Sequence, residues 1–553
     1  TQPASLIQLD RPKQESHGDY ACNLALLLAK PLRRNPRDVA AALLAALPPS
    51  PHVEKAEVAG AGFINLFLKP AAKQMVIPHI LNSGEAYGRS RIGAGKKIQV
   101  EFVSANPTGP LHVGHGRGAA FGASLSNVLS AAGYKVWREF YVNDSGRQMD
   151  ILALSTWLRY LELAGTHITF PQNAYQGEYV RVMAKQLIDG RGKRYVRDAE
   201  DLLQSAAQAD AEAHLDALIA RAKKLLSDDY FSIHRFVLTE QLDDCCADLS
   251  EFGVTFDEWF SERSLYENGQ VARVVAQLEK NDHLYLKDGA KWFKSTRFGD
   301  EKDRVMQREN GEYTYFASDI AYHLGKFERG FERVIDIWGA DHHGYIPRVK
   351  GALQALGLDA QKLTVALVQF AVLYRRGKKV SMSTRSGEFV TLRELRNEVG
   401  KDAARFFYVL RKSDQHLDFD LDLAKSQSND NPVYYVQYAH ARICSVLAEW
   451  GGNPEVLMQA DISFLSSAHE LALMQRLMEY PEIVEAAADE LSPHLIAFYL
   501  KELAGEFHSY YNATRFLVDD AKLKNARLAL VTATRQVLRN GLTLLGVSCP
   551  EKM

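Results

Sequence analysis

The chain is short of cysteine, of net charge and of long apolar runs. Its five cysteines are scattered and none forms a Cys-x-x-Cys pair, which excludes a disulfide framework and argues against a thiolate zinc site. No apolar run reaches the roughly 18–20 residues of a membrane helix. The 66 basic and 68 acidic residues leave a net charge of -2, which excludes a strongly basic nucleic-acid binder but not a local basic face. We therefore expect a reduced, cytoplasmic protein without a membrane anchor.

The length of 553 residues is sufficient for several hydrophobic cores, and at about 100–200 residues per domain it predicts three or four domains. No internal repeat and no low-complexity tract divides the chain. No signal peptide is visible. Because the sequence begins at Thr1 without a methionine, we expect its N-terminus to be missing or trimmed.

Hydrophobic periodicity separates three regions. Residues 20–28 and 37–47 are helix-like and residues 53–58 and 63–68 are strand-like, which predicts a small α/β module at the start of the chain. A glycine-rich polar stretch follows and resembles a linker. Beyond residue 431 the pattern is nearly all helical, so we expect a separate helix bundle there.

The central region alternates between strand-like and helix-like runs. Residues 97–103 and 135–142 are predicted strands, and between them residues 118–132 form a predicted helix with small residues on one side. This β-α-β order predicts a parallel sheet. Helix-like residues 145–230 interrupt the sheet, and strand-like runs resume at 292–293, 334–338 and 363–368.

One motif, His112-Val-Gly-His115, lies between a predicted strand and a predicted helix. Pro110 is typical of a first helical turn, and the two histidines, three residues apart, would share one helix face. Gly114 leaves room for a nucleotide, while the helix N-terminus attracts phosphate. Two imidazoles there can stabilise the charge that grows on a phosphate during displacement. The alternatives are a pair of packing or surface histidines, or a zinc site, for which no third ligand is at metal spacing.

The surroundings of this motif resemble the class I aminoacyl-tRNA synthetases, and among them the arginyl-tRNA synthetases. The segments that carry the resemblance read EFVSANPTGPLHVGH at 101–115, YVNDSGRQ at 141–148 and HGDYACNLA at 17–25. The resemblance extends over essentially the whole chain. It implies a Rossmann-like α/β catalytic domain with a parallel sheet at 86–425, which contains a helical insertion at about 145–230 and a mobile loop at 375–389. It also implies a small α/β tRNA-binding domain at 1–85 and an all-α anticodon-binding bundle at 426–553.

The resemblance gives roles to residues of two adjoining sites. It implies that His112 and His115 are catalytic and stabilise the pentacoordinate α-phosphate of ATP, with Gly114 against the nucleotide. For the amino acid, it implies that Glu101 and Asn106 hold the α-amino end.

The same resemblance implies that Glu262 and Asp319 bind the substrate guanidinium. This group is always charged and carries five donors, so acids and hydroxyl acceptors suit it. Tyr315 is four residues before Asp319 and would share a helix face with it, so we count it with the arginine site. Taken alone, each acid is more typical of a solvated surface charge than of a binding site, and only the surrounding motifs favour the binding role.

Two further segments are predicted to contact ATP. The first follows the predicted strand at 334–338, where the resemblance implies that Gly339, Asp341 and His342 contact the adenosine; structural histidines are the alternative. The second corresponds to the family's KMSKS loop and is degraded, because only Met382 and Ser383 match its centre. We predict that nearby basic residues replace the missing lysines, first Arg385 and then Lys379. The alternative is a solvated basic loop without a role.

The helical C-terminal region interleaves aromatic residues with arginines, as single-stranded RNA recognition requires. Aromatic residues at helical spacing are also typical of a core, and the first of these segments can equally contact the catalytic domain. The predicted tRNA contacts are Gln437, Tyr438, Arg442, Tyr510, Tyr511 and Asn512.

The resemblance implies an enzyme that activates L-arginine with ATP and transfers it to the terminal adenosine of tRNA(Arg). We expect Mg²⁺ to arrive with the ATP phosphates, no zinc, no membrane partner, and a monomer. A non-catalytic RNA-binding paralogue is the alternative, and the degraded loop is its only support. A different nucleotidyltransferase would share the histidine motif but would not explain the terminal domains.

Overall fold

The computed structural model describes residues 7–12, 14–197, 210–380 and 390–553. At the start of the chain a four-stranded antiparallel sheet, in the order β1-β2-β4-β3, carries two helices. Residues 20–28 were predicted as one helix, and this is wrong in its first turn, because residues 20–22 pair with β4 as a strand. The elements are β1 (Leu9–Asp10), β2 (Tyr20–Cys22), α1 (Leu24–Leu32), α2 (Pro36–Ala46), β3 (Val53–Ala59) and β4 (Phe63–Leu68).

Two short helices, α3 (Pro70–Gln74) and α4 (Val76–Ser83), follow this module. They pack against the C-terminal bundle, where Val76, Ile77 and Ile80 join the largest hydrophobic core. The amide of Gln74 donates to the Leu465 carbonyl at 2.9 Å. The segment after the first module is therefore part of the main body of the molecule.

The central β-α-β unit consists of β5 (Lys97–Glu101), α5 (Val113–Ala131) and β6 (Lys135–Val142). β5 and β6 are parallel, as predicted. The small residues of α5 allow the close approach that we expected: a Cβ on Gly122 would lie 2.3 Å from Phe102, and one on Gly116 would lie 2.8 Å from Leu392.

The helical insertion forms a unit with its own core. Trp157 is buried there, and its indole N–H donates to the Tyr195 carbonyl at 2.9 Å. The helices continue about twenty residues beyond the predicted end at 230, because Cys245 and Leu249 of the last helix join the core of the main sheet. They are α6 (Arg147–Leu163), α7 (Glu178–Arg191), α8 (Ala211–Leu226) and α9 (Asp228–Glu251).

The chain then returns to the sheet and adds a smaller one. The strand predicted at 292–293 exists, but it lies in the separate antiparallel sheet β10-β9-β8 and not in the main sheet. The elements are β7 (Glu258–Ser261), α10 (Glu262–Glu267), α11 (Gln270–Lys280), β8 (Leu284–Lys287), β9 (Ala290–Phe293), β10 (Arg304–Gln307), α12 (Tyr315–Glu328), β11 (Arg333–Gly339), α13 (Ile346–Ala355) and β12 (Leu363–Val368).

The main sheet has the order β12-β11-β5-β6-β7, and each neighbouring pair is parallel. From β5 the chain proceeds to one side through β6 and β7, and it later fills the other side with β11 and β12. The reversal lies between β5 and β11. In open α/β sheets, ligands bind at such a switch point, beyond the carboxyl ends of the strands.

The residues that follow β12 lead into the C-terminal helices. A three-stranded sheet in the order β14-β13-β15 joins the two parts. Its elements and the neighbouring helices are β13 (Ala371–Arg375), β14 (Lys378–Lys379), α14 (Leu392–Val399), α15 (Lys401–Val409), β15 (Leu417–Asp420) and α16 (Leu421–Lys425). The bundle that follows contains α17 (Pro432–Trp450), α18 (Ala468–Asp489), α19 (His494–Ala513) and α20 (Ala521–Leu545).

The C-terminal end of α20 docks on α5 and α15. Arg405 is fully buried and donates to the Leu545 carbonyl at 2.8 Å. From α5, Ser124 donates to the same carbonyl at 3.3 Å and Asn127 donates to that of Leu544 at 3.0 Å. The bundle and the main sheet therefore share one hydrophobic core. Within the residues that the structure describes, no helix combines the length and apolarity needed to cross a membrane.

Candidate active site

The predicted site residues gather at the carboxyl edge of the main sheet. Glu101 ends β5, Glu262 follows β7 directly, and Gly339 ends β11. Between β5 and α5 the chain makes a strained turn, in which Val103 and Ser104 have positive φ angles of 69° and 42°. Such a conformation costs a β-branched residue energy, and it is typical of functional loops.

The two motif histidines lock the start of α5. His112 is the N-cap and not part of the helix, and its Nδ1 accepts from the Gly114 N–H at 3.1 Å. His115 Nδ1 in turn accepts from the His112 N–H at 3.3 Å. Pro110, predicted for the first turn, therefore lies before the helix, because the histidine side chain supplies the cap.

These bonds determine the protonation of both rings. Because each Nδ1 accepts a backbone hydrogen bond, each neutral imidazole carries its proton on Nε2. Burial lowers the pKa of His112, and burial together with the neighbouring His112 lowers the pKa of His115 to about 3. The rings are stacked with centroids 3.7 Å apart. The site thus presents neutral N–H donors, which suit phosphate oxygens.

Gly114 is required by the histidine itself. A Cβ at this position would lie 2.8 Å from the His112 ring and 3.3 Å from Phe370. The sequence predicted glycine at this position because a nucleotide needs room there. The His112 ring is a second reason for glycine.

The chain after residue 389 is fixed to the motif. Val113 N–H donates to the Val390 carbonyl at 3.1 Å, and Leu392 N–H donates to the Leu111 carbonyl at 2.8 Å. Thr391 forms a bridge with His112. Residues 390–392 therefore lie directly beside the histidines.

Glu262 occupies the first turn of α10 and is 1% exposed. Its Oε1 accepts from the Ser318 hydroxyl at 3.0 Å, and the Asn143 amide lies 2.8 Å from Oε2. Burial raises the pKa of Glu262; the Ser318 hydroxyl opposes this, and the charges of Asp144 and Asp319 add to it. Among the described residues no cation comes within 4 Å of Glu262, so its charge has only hydrogen-bond donors around it.

Asp319 and Tyr315 lie on one face of α12, as predicted. The Asp319 side chain is 26% exposed, and its Oδ2 is buried without a hydrogen bond from the described residues. Tyr345 is a further neighbour of this carboxylate: burial, then the Asp319 charge and a side-chain hydrogen bond to Asp319, raise the pKa of that phenol. Tyr315 is exposed, and its hydroxyl would be 2.9 Å from a Cβ on Gly146. These residues form a wall opposite the loop after β6.

Asn106 connects the two halves of the site. It is exposed in the loop before His112, its amide donates to Gln148 at 2.7 Å, and its oxygen is 3.2 Å from the Asn143 amide. Turned so that its nitrogen donates to Glu262 Oε2 at 2.8 Å, the Asn143 amide places its oxygen toward Asn106, so the motif loop and the acidic residues meet at Asn143.

Glu101 does not present an open carboxylate. Its Oε2 is 2.5 Å from the buried Lys326 ammonium, and its Oε1 accepts from the Ser104 hydroxyl at 2.8 Å. Each oxygen keeps a further lone pair, so the predicted contact with the substrate amino group stays a prediction, and it would have to be made beside these internal partners.

The predicted ATP contacts are divided between described and undescribed residues. Gly339 ends β11, and Asp341 and His342 follow it with side chains 61% and 64% exposed. Lys379 is exposed on β14. Met382, Ser383 and Arg385 lie outside the described residues.

Two of the six predicted tRNA contacts are wrong. Tyr510 is fully buried and donates to Glu470 at 3.0 Å, which makes it a core residue. Gln437 is 8% exposed and joins Asp402 and Ser548 at 2.9 and 3.0 Å, so it serves the contact between the bundle and the catalytic region.

The other four remain on the surface. The Arg442 guanidinium lies 4.4 Å from the ring centroid of Tyr438 and 4.6 Å from that of Tyr511. Asn512 follows and is exposed. Stacked aromatic rings around a guanidinium are suited to unpaired bases.

Sequence reasoning missed Asn143, Ser318, His323 and Lys326. Asn143 follows β6 directly and could have been found by its place at a strand end. Ser318 and His323 are on the same helix as Asp319, one residue before and four after it, so helical spacing was a usable signal. Lys326 lies on the same face three residues after His323, but its partners Glu101 and Asp336 are on two strands of the sheet, and that pairing has no local signal. Among the described residues, no group of three or more His, Cys, Asp or Glu side chains is placed to hold a metal ion.

The parallel sheet, its switch point and the neutral histidines at a helix start define the class I aminoacyl-tRNA synthetases. Residues 76–417 match the family described as "tRNA synthetases class I (R), catalytic domain". Residues 2–68 match "Arginyl tRNA synthetase N terminal domain", and residues 436–553 match "DALR anticodon binding domain".

Relatives and solved structures agree with these matches. An arginine–tRNA ligase of Nitrosospira multiformis is 71% identical over 99% of this chain and 94% of its own length. One of Legionella pneumophila is 54% identical over 99% and 95%. A Campylobacter jejuni structure described as an arginyl-tRNA synthetase has a TM-score of 0.77 at 32% identity, and covers 87% of this chain and 99% of its own. The chain belongs to the arginyl-tRNA synthetase family.

Proposed function

We propose that this chain activates L-arginine with ATP to arginyl-adenylate and transfers the arginine to the 3′-terminal adenosine of tRNA(Arg). One observation carries the proposal: Glu262, which has no cationic partner among the described residues, lies close to Asp319, whose Oδ2 is buried without a hydrogen bond from those residues, at the same edge of the sheet as the capped histidines. An anionic pocket next to neutral N–H donors suits a cationic amino acid next to a triphosphate.

Activation requires no protein nucleophile. An oxygen of the arginine carboxylate attacks the α-phosphorus of MgATP in line, the bond to the β-phosphate breaks, and pyrophosphate leaves. His112 and His115 direct their Nε2–H groups at the phosphate as its charge grows, which is electrostatic stabilisation of the transition state. Transfer then proceeds by attack of a terminal ribose hydroxyl on the aminoacyl carbonyl, with AMP as the leaving group.

The guanidinium is held by geometry as well as by charge. Glu262 is fixed by Ser318 and Asn143, so its carboxylate cannot turn away to solvent. Asp319 offers its buried Oδ2. A planar fork of donors matches two fixed carboxylates. Tyr315 and Asn106 close the pocket at its rim, the first over the guanidinium and the second toward the α-amino end.

ATP is placed by the loops that follow β5 and β11. Gly114 lies against the nucleotide, and Gly339, Asp341 and His342 contact the adenosine. The phosphates are met by the segment that contains Lys379, Met382, Ser383 and Arg385, whose basic groups replace the lysines of the family's loop. Residues 390–392, held beside His112, give this segment a fixed end.

The terminal regions bind the tRNA in this proposal. We assign residues 1–85 and 426–553 to tRNA binding and residues 86–425 to catalysis. On the bundle, Tyr438, Arg442, Tyr511 and Asn512 form the contact surface, because their rings and guanidinium are accessible.

An ATP–pyrophosphate exchange assay tests the proposal. Arginine should support exchange in the presence of tRNA(Arg), whereas citrulline, which has the same shape without the charge, should not. Asp319→Asn should raise the arginine KM in exchange by roughly 30- to 1,000-fold while the circular dichroism spectrum stays that of the wild type. Absence of exchange with a folded wild-type chain that still binds tRNA would favour the non-catalytic paralogue.

A further inference from the structure

The buried layer beneath the arginine pocket contains a chain of alternating acids and bases. Lys326 lies between Glu101 and Asp336, at 2.5 and 2.8 Å. His323 lies between Asp336 and Asp319, with Nε2 2.8 Å from Asp336 Oδ2 and Nδ1 3.2 Å from Asp319 Oδ1. This row of side chains begins with Glu101, beside the motif loop, and ends with Asp319 at the pocket.

His323 has an acceptor at each ring nitrogen. Besides Asp319 Oδ1, its Nδ1 faces the Asp319 backbone carbonyl at 2.8 Å, and its Nε2 faces a carboxylate. A neutral imidazole carries one proton and would direct a lone pair at one of these oxygens. Only the imidazolium, with two N–H groups, satisfies both ends.

The surroundings favour that charged form. The side chain is 2% exposed, and the charged groups near it are Asp319 and Lys326 on its own helix and Asp336 on β11. Burial alone would lower the pKa of His323, but the two carboxylates outweigh burial and Lys326 and raise it to about 10.

The bond also determines what Asp319 offers to a ligand. Oδ1 faces the histidine, so the carboxylate plane is held from behind, and Oδ2 is the oxygen without a hydrogen bond from the described residues. The row contains three acids, Glu101, Asp336 and Asp319, and two bases, Lys326 and His323. The last acid, Asp319, is the one at the pocket. A guanidinium there would complete the alternation.

We propose that His323 is a positioning residue for arginine: as a buried imidazolium clamped between Asp336 and Asp319, it orients the Asp319 carboxylate so that Oδ2 faces the guanidinium. The role rests on the proposed function, since it presumes that Asp319 binds arginine. His323 itself does not touch the substrate.

The kinetic test is a double-mutant cycle. His323→Asn should raise the arginine KM in tRNA-supported exchange by about 10- to 100-fold, the value of one charge-assisted hydrogen bond, and leave the ATP KM within about twofold. Adding His323→Asn to Asp319→Asn should cost less than about threefold more, because the clamp then has nothing to orient.

A matched control separates positioning from folding. His440 is also a fully buried histidine, bonded to the Pro550 carbonyl at 2.9 Å in the bundle. His440→Asn should lower the unfolding midpoint and leave the arginine KM unchanged. If His323→Asn behaved in the same way, the positioning role would be refuted.

A second measurement does not depend on activity. Histidine-selective ¹⁵N NMR at pH 8, with the resonance assigned by its loss in His323→Asn, should show two protonated ring nitrogens for His323. One protonated and one bare nitrogen would overturn the imidazolium clamp. A wild-type chain without arginine-dependent exchange would instead refute the proposed function, whatever the ring's protonation state.

Discussion

Replacing Glu262 by glutamine should separate binding from stability. The amide has nearly the same shape, its oxygen can accept from Ser318, and its nitrogen can donate to the oxygen of a turned Asn143. Only the negative charge is lost. Removing one partner of a buried, hydrogen-bonded charge pair costs about 2–5 kcal/mol, and since Glu262 keeps its hydrogen bond to Ser318 in the amide form we expect about 2–4 kcal/mol. This corresponds to a rise of roughly 30- to 1,000-fold in the arginine KM.

The same change should not destabilise the enzyme without substrate. Burial raises the pKa of Glu262, so the folded state favours the neutral acid and is penalised by its charge at pH values above the unfolded pKa. The amide removes that penalty. The unfolding midpoint at pH 7.5 should therefore stay level or rise, the reverse of the usual effect of a core substitution.

Two assays with one control decide the matter. Arginine-dependent exchange gives the KM, and scanning fluorimetry with and without arginine gives the stability and the ligand-induced shift. Glu267→Gln, an exposed position on the same helix, should leave both unchanged. Wild-type arginine affinity in Glu262→Gln would refute the assignment of the pocket, and a fall in the midpoint would refute the burial argument.

Three further changes test other parts of the structure. Gly114→Ala should lower kcat for exchange about 10- to 100-fold, because the added Cβ displaces His112. Gly118→Ala is the control on the same helix: a Cβ there meets nothing within 4 Å, so kcat should not change. Equal rates for the two variants would contradict the clash. Arg405→Met should lower the free energy of unfolding in urea by about 2–4 kcal/mol, because buried carbonyls lose their donor. A urea midpoint equal to that of the wild type would show that the docking bonds contribute nothing. His115 has its pKa lowered to about 3, so the unfolded state binds the proton first and stability falls as pH drops below about 6.5. His115→Gln should therefore recover about 1–2 kcal/mol of the stability lost between pH 7 and pH 5, and an unchanged pH dependence would exclude a buried neutral ring.

The fold was largely predictable where local patterns decide it. The strand at 135–142 and the switch from strand to helix around His112 follow from alternation and small residues. Residues 20–22 were not predictable, because their neighbours 24–32 are strong helix formers and pairing with β4 overrides the local preference. The strand at 292–293 was found, but its sheet was not, since pairing partners carry no local signal.

The sequence was sufficient to predict several residues of the candidate site, but not which side chains pair with each other there. Glu262 and Asp319 were identified from the resemblance, whereas the pairing of Glu101 with Lys326 joins positions 225 residues apart. Tyr510 shows the opposite failure. An aromatic residue in a helix next to polar neighbours is compatible with RNA contact, and only the packing of the bundle shows that it is buried.

The docking of α20 on α5 has a consequence for how the chain becomes active during synthesis. The helix that begins with the two histidines is braced, through Ser124, Asn127 and Arg405, by carbonyls at positions 544 and 545 of 553. Domains generally fold from the N-terminus while the ribosome is still at work. Here α5 receives these bracing contacts only after residues 544 and 545 have left the ribosome, so a chain that ends before them would lack the support of the helix that follows the two histidines.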